Sequence, residues 1–307
     1  MSVIQTEAVG FAYQAHWVLQ DIRFQVEAGE IFGLVGADGA GKTTLLRLAV
    51  GQVSPGHGRI LVLGQPADSP SLRAEVAYMP QGFGLYQDLS VQENVNFFAD
   101  LHGLPPTVAR ELIADLLQRT GLCGFETRRA GQLSGGMMQK LALACALLSQ
   151  PKVMILDEPT TGVDPVSRRA FWRLLDGVRR EGVAILYATA NMDEAERCDR
   201  VGLLSKGRLE RQGTPLELAS SSTAHLVEVS GPQVRRRRAL LEIWPEMEWV
   251  FPIGRQLRVW LKPPATLADL QARLAVLAPD MQTRELQPTL QDVALRDLAL
   301  RGGERGA

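Results

Sequence analysis

Ile31-Phe32-Gly33-Leu34-Val35, then Gly36-Ala37-Asp38-Gly39-Ala40-Gly41-Lys42-Thr43-Thr44, then Leu45-Leu46-Arg47-Leu48-Ala49-Val50: a short apolar run, a glycine-rich loop and a helical run follow one another without a break. The loop fits G-x-x-x-x-G-K-[ST], and it stands where that pattern needs to stand, after a strand and before a helix. Glycines let the backbone wrap so that successive N–H groups face phosphate oxygens, and the helix N-terminus adds its partial positive charge. Residues Gly36 to Thr44 are therefore the candidate triphosphate contact. Lys42 is placed to pair with the β- and γ-phosphates, and the Thr43 hydroxyl to ligate Mg²⁺. Average residue usage yields such a loop by chance in about one chain in a hundred of this length, and the flanking elements make it rarer.

Outward from the loop, Arg59–Leu63, Val76–Met79, Val153–Leu156 and Ala184–Ala188 are further short apolar runs that alternate with helical stretches. That alternation predicts an α/β domain built on a largely parallel sheet. Val3–Phe11 and Ile22–Val26 precede it as antiparallel strands, and Val201–Leu204 with Arg208–Gln212 closes it as a hairpin around Lys206-Gly207. Val153-Met154-Ile155-Leu156 runs into Asp157-Glu158. A buried strand ending in an acid delivers that acid to the metal beside the phosphates, which assigns Asp157 to Mg²⁺ and Glu158 to the attacking water as general base.

Leu133-Ser134-Gly135-Gly136-Met137-Met138-Gln139-Lys140 opens another helical stretch with a polar glycine pair, and so makes a second anion-binding helix N-terminus. The first loop already holds one triphosphate, so the second makes sense against a nucleotide held by another subunit. On these residues the chain resembles the ATP-binding subunits of ABC transporters over about residues 3–213. The resemblance implies a phosphate-loop ABC ATPase domain with an antiparallel N-terminal β subdomain and a helical subdomain. It also implies that ATP is sandwiched between the phosphate loop of one domain and Ser134, Gly135 and Gly136 acting from the other. Tyr13 falls where the family stacks an aromatic on adenine, the alternative for a tyrosine near a strand end being plain packing. Gln81, in Tyr78-Met79-Pro80-Gln81, matches the glutamine that reaches Mg²⁺ and water, and Gly162-Val163-Asp164-Pro165 matches the loop that communicates across the dimer. Gly84 to Asn94 looks like the export-type branch. The partners implied are integral membrane permease subunits and a second nucleotide-binding domain, with the chain held peripherally at the cytoplasmic face of the cell membrane and hydrolysing ATP.

One position departs from that pattern. Where the family has a histidine in a T-H-x-M-x-E-A segment, this chain reads Thr189-Ala190-Asn191-Met192-Asp193-Glu194-Ala195. A methyl group neither donates nor accepts, and loss of one such transition-state contact typically costs about 2.7–4 kcal/mol, or 10²–10³ in rate. The expectation is a weakened site of the chain's own and an intact signature lent to a partner, a heterodimer being favoured. Asn191 alongside offers an amide that reaches a phosphate oxygen. Asp38 also departs, the family often having asparagine there, and a solvated carboxylate at a loop flank changes little.

The bulk composition is consistent with this reading. At 307 residues, 46% of them hydrophobic, the chain supports one large domain, 1–219, and one small one, 220–307. The second is predicted as β-α-β-β-α-β: strand His225–Ser230, helix Gln233–Ile243, strands Glu248–Phe251 and Gln256–Leu261, helix Leu267–Leu277 and strand Gln282–Leu286, followed by a helix Leu290–Leu300 and a frayed tail Arg301–Ala307. It reads as a regulatory or dimer-stabilising α+β appendage. Arg235–Arg238 fits either anionic lipid or a solvated helix face. A net charge of -1 gives no support for a nucleic-acid partner. Three scattered cysteines suggest a reducing compartment, and no apolar run is long enough to span a bilayer. The other readings are a soluble, non-transport ABC ATPase acting on a macromolecular complex, usually two nucleotide domains in one chain, and a regulatory subunit that binds nucleotide without turnover.

Overall fold

Three strands, β3 (Ile31–Val35), β7 (Val153–Asp157) and β8 (Ala184–Thr189), are buried at every position. Continuous apolar runs become strands of this kind when both sheet faces are covered. They lie side by side and parallel in a sheet ordered β10 (Arg208–Gly213), β9 (Arg200–Ser205), β3, β8, β7 and β6 (Val76–Met79), in which only the β9–β10 pair is antiparallel. The computed structural model describes residues 2–220 and 224–303 of the chain, with side chains to residue 296. Residues 221–223, at the start of the expected second domain, and residues 304–307 of the expected frayed tail lie outside the described residues.

Arg59–Leu63, expected in the parallel sheet, is instead β4 (His57–Val62), paired antiparallel with β1 (Ser2–Tyr13) in a separate sheet ordered β2 (His16–Glu27), β1, β4, β5 (Gln65–Pro66). Only Ile60 and Val62 of β4 are buried, the alternation of a strand with one face on the core. Its other face is polar and carries Arg59, whose guanidinium donates to Glu7 across the register at 2.7 Å.

Three helices, α2 (Val91–Leu101), α3 (Pro106–Thr120) and α4 (Gly135–Leu147), enclose a core of their own around Val95, Leu116, Leu141 and Cys145. Ser90 starts α2 with a reciprocal cap: its hydroxyl accepts from the Glu93 N–H and the Glu93 carboxylate accepts from its own. Fully buried Asn94 then bonds backwards, donating to the carbonyls of Tyr86 (3.0 Å), Leu89 (3.3 Å) and Ser90 (2.9 Å) and accepting from the Tyr86 N–H (3.0 Å). One amide thereby shapes the loop ahead of α2. None of the helices among the described residues is long and apolar enough to cross a membrane.

The chain divides into two compact units between Gly213 and Thr214, six residues ahead of the boundary read from the sequence. Helix α7 (Pro215–Ser220) goes with the second unit because it packs on α10 (Leu290–Gly303). Helix α10 runs to Gly303, past the start expected for a frayed tail. Strands β11 (His225–Ser230), β12 (Met247–Ile253), β13 (Gln256–Leu261) and β14 (Gln282–Leu286) form an antiparallel sheet ordered β12, β13, β11, β14, the split β-α-β arrangement the sequence suggests. The helix expected over Gln233–Ile243 is broken. Gln233 sits in the left-handed region at φ 54, a tight turn follows over Val234–Arg237, and only Arg238–Glu242, α8, is α-helical. α9 (Leu267–Leu277) lies where the sequence places a helix and starts at a Thr266/Asp269 capping box.

Asn94→Ala leaves three carbonyls and an N–H without their side-chain partner and is expected to destabilise the chain by about 1–3 kcal/mol. Urea unfolding checks this, and limited proteolysis should cut first within residues 84–90.

Candidate functional site

The parallel sheet brings its C-terminal edges together, and the loops leaving them meet. The Gly36 N–H donates to the Thr189 carbonyl at 3.2 Å, and the Glu158 N–H to the Ala188 carbonyl at 3.0 Å. The ends of β3, β7 and β8 are therefore stitched to each other by backbone alone. Beyond β3 the loop turns through Gly41, at φ 108, into α1 (Lys42–Ala49). A side chain at Gly41 would have its Cβ 2.8 Å from the Leu19 side chain, so that both conformation and space demand glycine there.

Lys42 is buried, 4% exposed, and its ammonium donates to the carbonyls of Gly36 (2.8 Å) and Ala37 (3.2 Å) and pairs with the Glu158 carboxylate at 3.0 Å. Asp38 also comes within 3.9 Å but is almost fully exposed, which fits the small effect expected of it. Lys42, Glu158, Asp38, Gly39, Gly41, Thr43, Thr44, Gln81 and Val18 line one open cavity of about 340 Å³. Ala37 is exposed at the loop tip, and Ala40 is buried behind it.

Asp157, the last residue of β7, is 1% exposed, and neither carboxylate oxygen has a partner at full hydrogen-bonding geometry among the described residues, although the Thr43 hydroxyl is close enough to act on it. Burial raises its carboxyl above the ordinary carboxylate range; the neighbouring Glu158 charge adds to the rise, while the Thr43 hydroxyl, Lys42 and Arg47 oppose it. A buried, unpartnered carboxylate beside a hydroxyl and an ammonium is costly unless something cationic completes it. The residues thus fit a hard divalent cation, for which carboxylate and hydroxyl oxygens are the expected ligands.

Tyr13 stands outside this cavity, 45% exposed, edge-on to Phe11 at 4.8 Å. It lies directly across from His16 in the β1–β2 register, which shifts at Val18, between the Phe11–Leu19 and Ala12–Trp17 pairs. Val18, on the same hairpin, lines the cavity, and Tyr13 does not.

Ser134, Gly135 and Gly136 are not brought to the cavity. Ser134 caps α4, its hydroxyl accepting from the Met137 N–H at 3.3 Å. Gly136 packs so closely on α5 (Pro165–Arg180) that a Cβ would come within 2.4 Å of the Ser167 Cβ. Gln139, one turn on, is fully buried and donates to the Pro159 carbonyl at 2.8 Å, tying the signature helix to the loop after Glu158. Ala190 follows the stitched end of β8 and is exposed at the site's rim. Asn191 uses its side-chain oxygen to cap α6 (Met192–Ala195), accepting from Asp193 at 3.0 Å. The sequence shows Gln139 only as a continuation of the signature, not its bond to Pro159, and holds no signal for the Lys42–Glu158 pair or for Val18, where the β1–β2 register is irregular.

Residues 19–161 match the family described as ABC transporter. The chain is 41% identical over 271 residues to the probable multidrug ABC transporter ATP-binding protein YbhF of Escherichia coli, a match covering 87% of this chain and 46% of that one, so it spans about half the length of that relative. It is 36% identical over 284 residues to the Nod factor export ATP-binding protein I of Burkholderia orbicola, covering 91% of each. Among solved structures it resembles cbiO1 from Clostridium perfringens, part of the ABC transporter complex cbiONQ, with a TM-score of 0.65, 31% identity and coverage of 72% of this chain and 91% of that one. Loop, acidic pair and signature, each on the element that aims it, agree with these likenesses over nearly the whole chain: it belongs to the ATP-binding proteins of ABC transporters.

Proposed function

We propose that the chain is the ATP-hydrolysing subunit of an exporter, working peripherally at the cytoplasmic face of a membrane with separate permease subunits and a second nucleotide-binding domain. Asp157 carries the reading: a carboxylate buried with both oxygens unpartnered, beside Thr43 and Lys42, is a site prepared for Mg²⁺ and a triphosphate. The names of the relatives, multidrug and Nod factor export, support the direction of transport.

When bound, ATP with Mg²⁺ supplies the anhydride bond to be cleaved. Lys42 exchanges its contact with Glu158 for phosphate oxygens, which leaves Glu158 to take the proton of the attacking water. Thr43, Gln81 and Asp157 hold the cation, the backbone from Gly36 to Thr44 holds the phosphates, and Tyr13 covers the adenine. Ser134, Gly135 and Gly136 lie away from this cavity and so serve the nucleotide of a facing domain. Two domains closing over two nucleotides do the mechanical work, and reopening follows hydrolysis.

Ala190 supports a heterodimer. The rim position offers only a methyl group, and Asn191 is engaged as a cap, so the chain's own site turns over slowly while its signature completes a partner's faster one. A nucleotide-binding role without turnover is the limiting case of the same observation. The second unit acts in regulation or in holding the dimer.

Hydrolysis of MgATP by the purified chain, followed over a range of protein concentrations, is expected to stay near the level of Lys42→Ala although ATP binds. Ala190→His should raise it by about 10²–10³. Brisk hydrolysis by the parent chain, rising steeply with concentration, would mean a competent homodimer instead.

The raised Asp157 carboxyl fixes the sign of a second test. Its folded value lies above its unfolded one, so its contribution to stability is present below the unfolded value and lost as pH rises through the folded one. Asp157→Asn therefore melts at a higher temperature than the parent at pH 7 without ligand, and loses the further rise that Mg²⁺ adds to ATP. Calorimetric melting scans with ATP alone and with MgATP check both parts.

A further inference from the structure

Glu194 is the one carboxylate of the first unit that is 2% exposed yet plays no part in the chemistry above. One oxygen accepts from the Thr160 hydroxyl and faces Arg168 Nε at 3.5 Å. The other accepts from the Thr189 hydroxyl at 2.7 Å and the Tyr187 hydroxyl at 3.1 Å. Burial pushes the Tyr187 phenol well up, with the Glu194 charge adding to the rise, which keeps that hydroxyl a donor. Every approach to the carboxylate is thus filled by a donor, as a buried charge requires.

The donors come from three segments that bear on the site. Thr160 is two residues beyond Glu158. Thr189 precedes Ala190, and its hydroxyl also accepts from the Asn191 N–H at 2.9 Å. Arg168 lies on α5, where its guanidinium donates to the Val163 carbonyl at 3.3 Å in the loop Gly162–Pro165. It is the next residue after Ser167, the residue against which Gly136 packs.

We propose that Glu194 is a positioning residue for hydrolysis: its carboxylate locks the turn carrying Glu158 to the strand end carrying position 190, and through Arg168 to the loop before α5. It touches neither nucleotide nor water. The backbone bonds from Ala188 and Thr189 set the ends of the strands, and the Glu194 cluster sets the two turns beyond them, where the catalytic carboxylate and the rim residue take their directions. A misplacement of about 1 Å in such a turn costs on the order of 10² in rate. Glutamine fills the same space but carries no charge for Arg168 and presents an amide to hydroxyls that need an acceptor.

The inference rests on the reading of Glu158 as the residue that activates water, so the test has one arm that needs turnover and one that does not. In the full chain, Glu194→Gln and, as a gentler variant, Thr160→Val are made in the parent and in the Ala190→His background. ATP affinity, the kcat and KM of MgATP hydrolysis, and amide hydrogen exchange over residues 158–166 and 188–194 are then measured. Expected are unchanged ATP affinity and KM, a kcat lower by roughly 10-fold to 10²-fold, faster exchange in both segments, and a smaller gain from Ala190→His when Glu194 is glutamine. In the Ala190→His background, where turnover is expected to be measurable, a kcat that does not change, or one that falls only with ATP affinity, overturns the proposal; so does unchanged exchange in both segments. If neither background hydrolyses ATP above Lys42→Ala, the turnover reading fails on its own, and the exchange measurement still decides whether Glu194 holds the two turns.

Discussion

Parallel pairing of β3, β8 and β7 constrains everything else in the first unit. Parallel strands all end at one edge, so the loops that follow Val35, Thr189 and Asp157 emerge together whatever their separation in sequence. Full burial on both faces fixes the register, because a slip of one residue would carry polar loop residues into the core. The two backbone bonds from Gly36 to Thr189 and from Glu158 to Ala188 continue the ladder past the strands. The site is in this sense an extension of the sheet.

On that frame the charges are arranged against their ordinary preferences. Lys42 is a buried cation whose positive charge is met by Glu158 at 3.0 Å, and Asp157 is a buried anion with no hydrogen bond of its own among the described residues. One is satisfied by a group that the chemistry needs elsewhere, and the other is unsatisfied. Under the proposed function one ligand, a polyanion with its cation, would relieve both conditions. The protein places the cost of desolvation in the free state, where binding recovers it.

How much of this was legible beforehand depends on how local each signal was. Gly36 to Gly41 is legible as a loop between strand and helix because glycine spacing, the preceding run and the following run all lie within twenty residues of chain, but the helix begins at Lys42, three residues before the apolar run at Leu45 that marks it in the sequence. Asp157 was legible as the end of a buried run. Arg59–Leu63 was misplaced because a run of Ile60, Leu61, Val62 and Leu63 looks fully buried, and only the partner strand reveals that alternate residues face out. The helix from Gln233 is overextended in the sequence reading because a string of arginines favours helix by propensity, which does not report the left-handed conformation at Gln233 that delays it. The Glu194 cluster joins residues 160, 168, 187, 189 and 194; the family pattern links Thr189 with Glu194 only as register marks around position 190, and no spacing rule ties them to residues 160, 168 and 187.

The bond from Gln139 to the Pro159 carbonyl has a consequence for how such a chain diverges from its relatives. It fastens the helix whose first turn holds Ser134 to Gly136 to the turn behind Glu158, so most residues of the chain's own site share a mechanical foundation with the residues it presents outward. A substitution that distorts one distorts the other. Position 190 is outside that foundation, exposed and free of structural bonds of its side chain. Position 190 can therefore change without disturbing either set of residues, which Gln139 and Gly136 cannot.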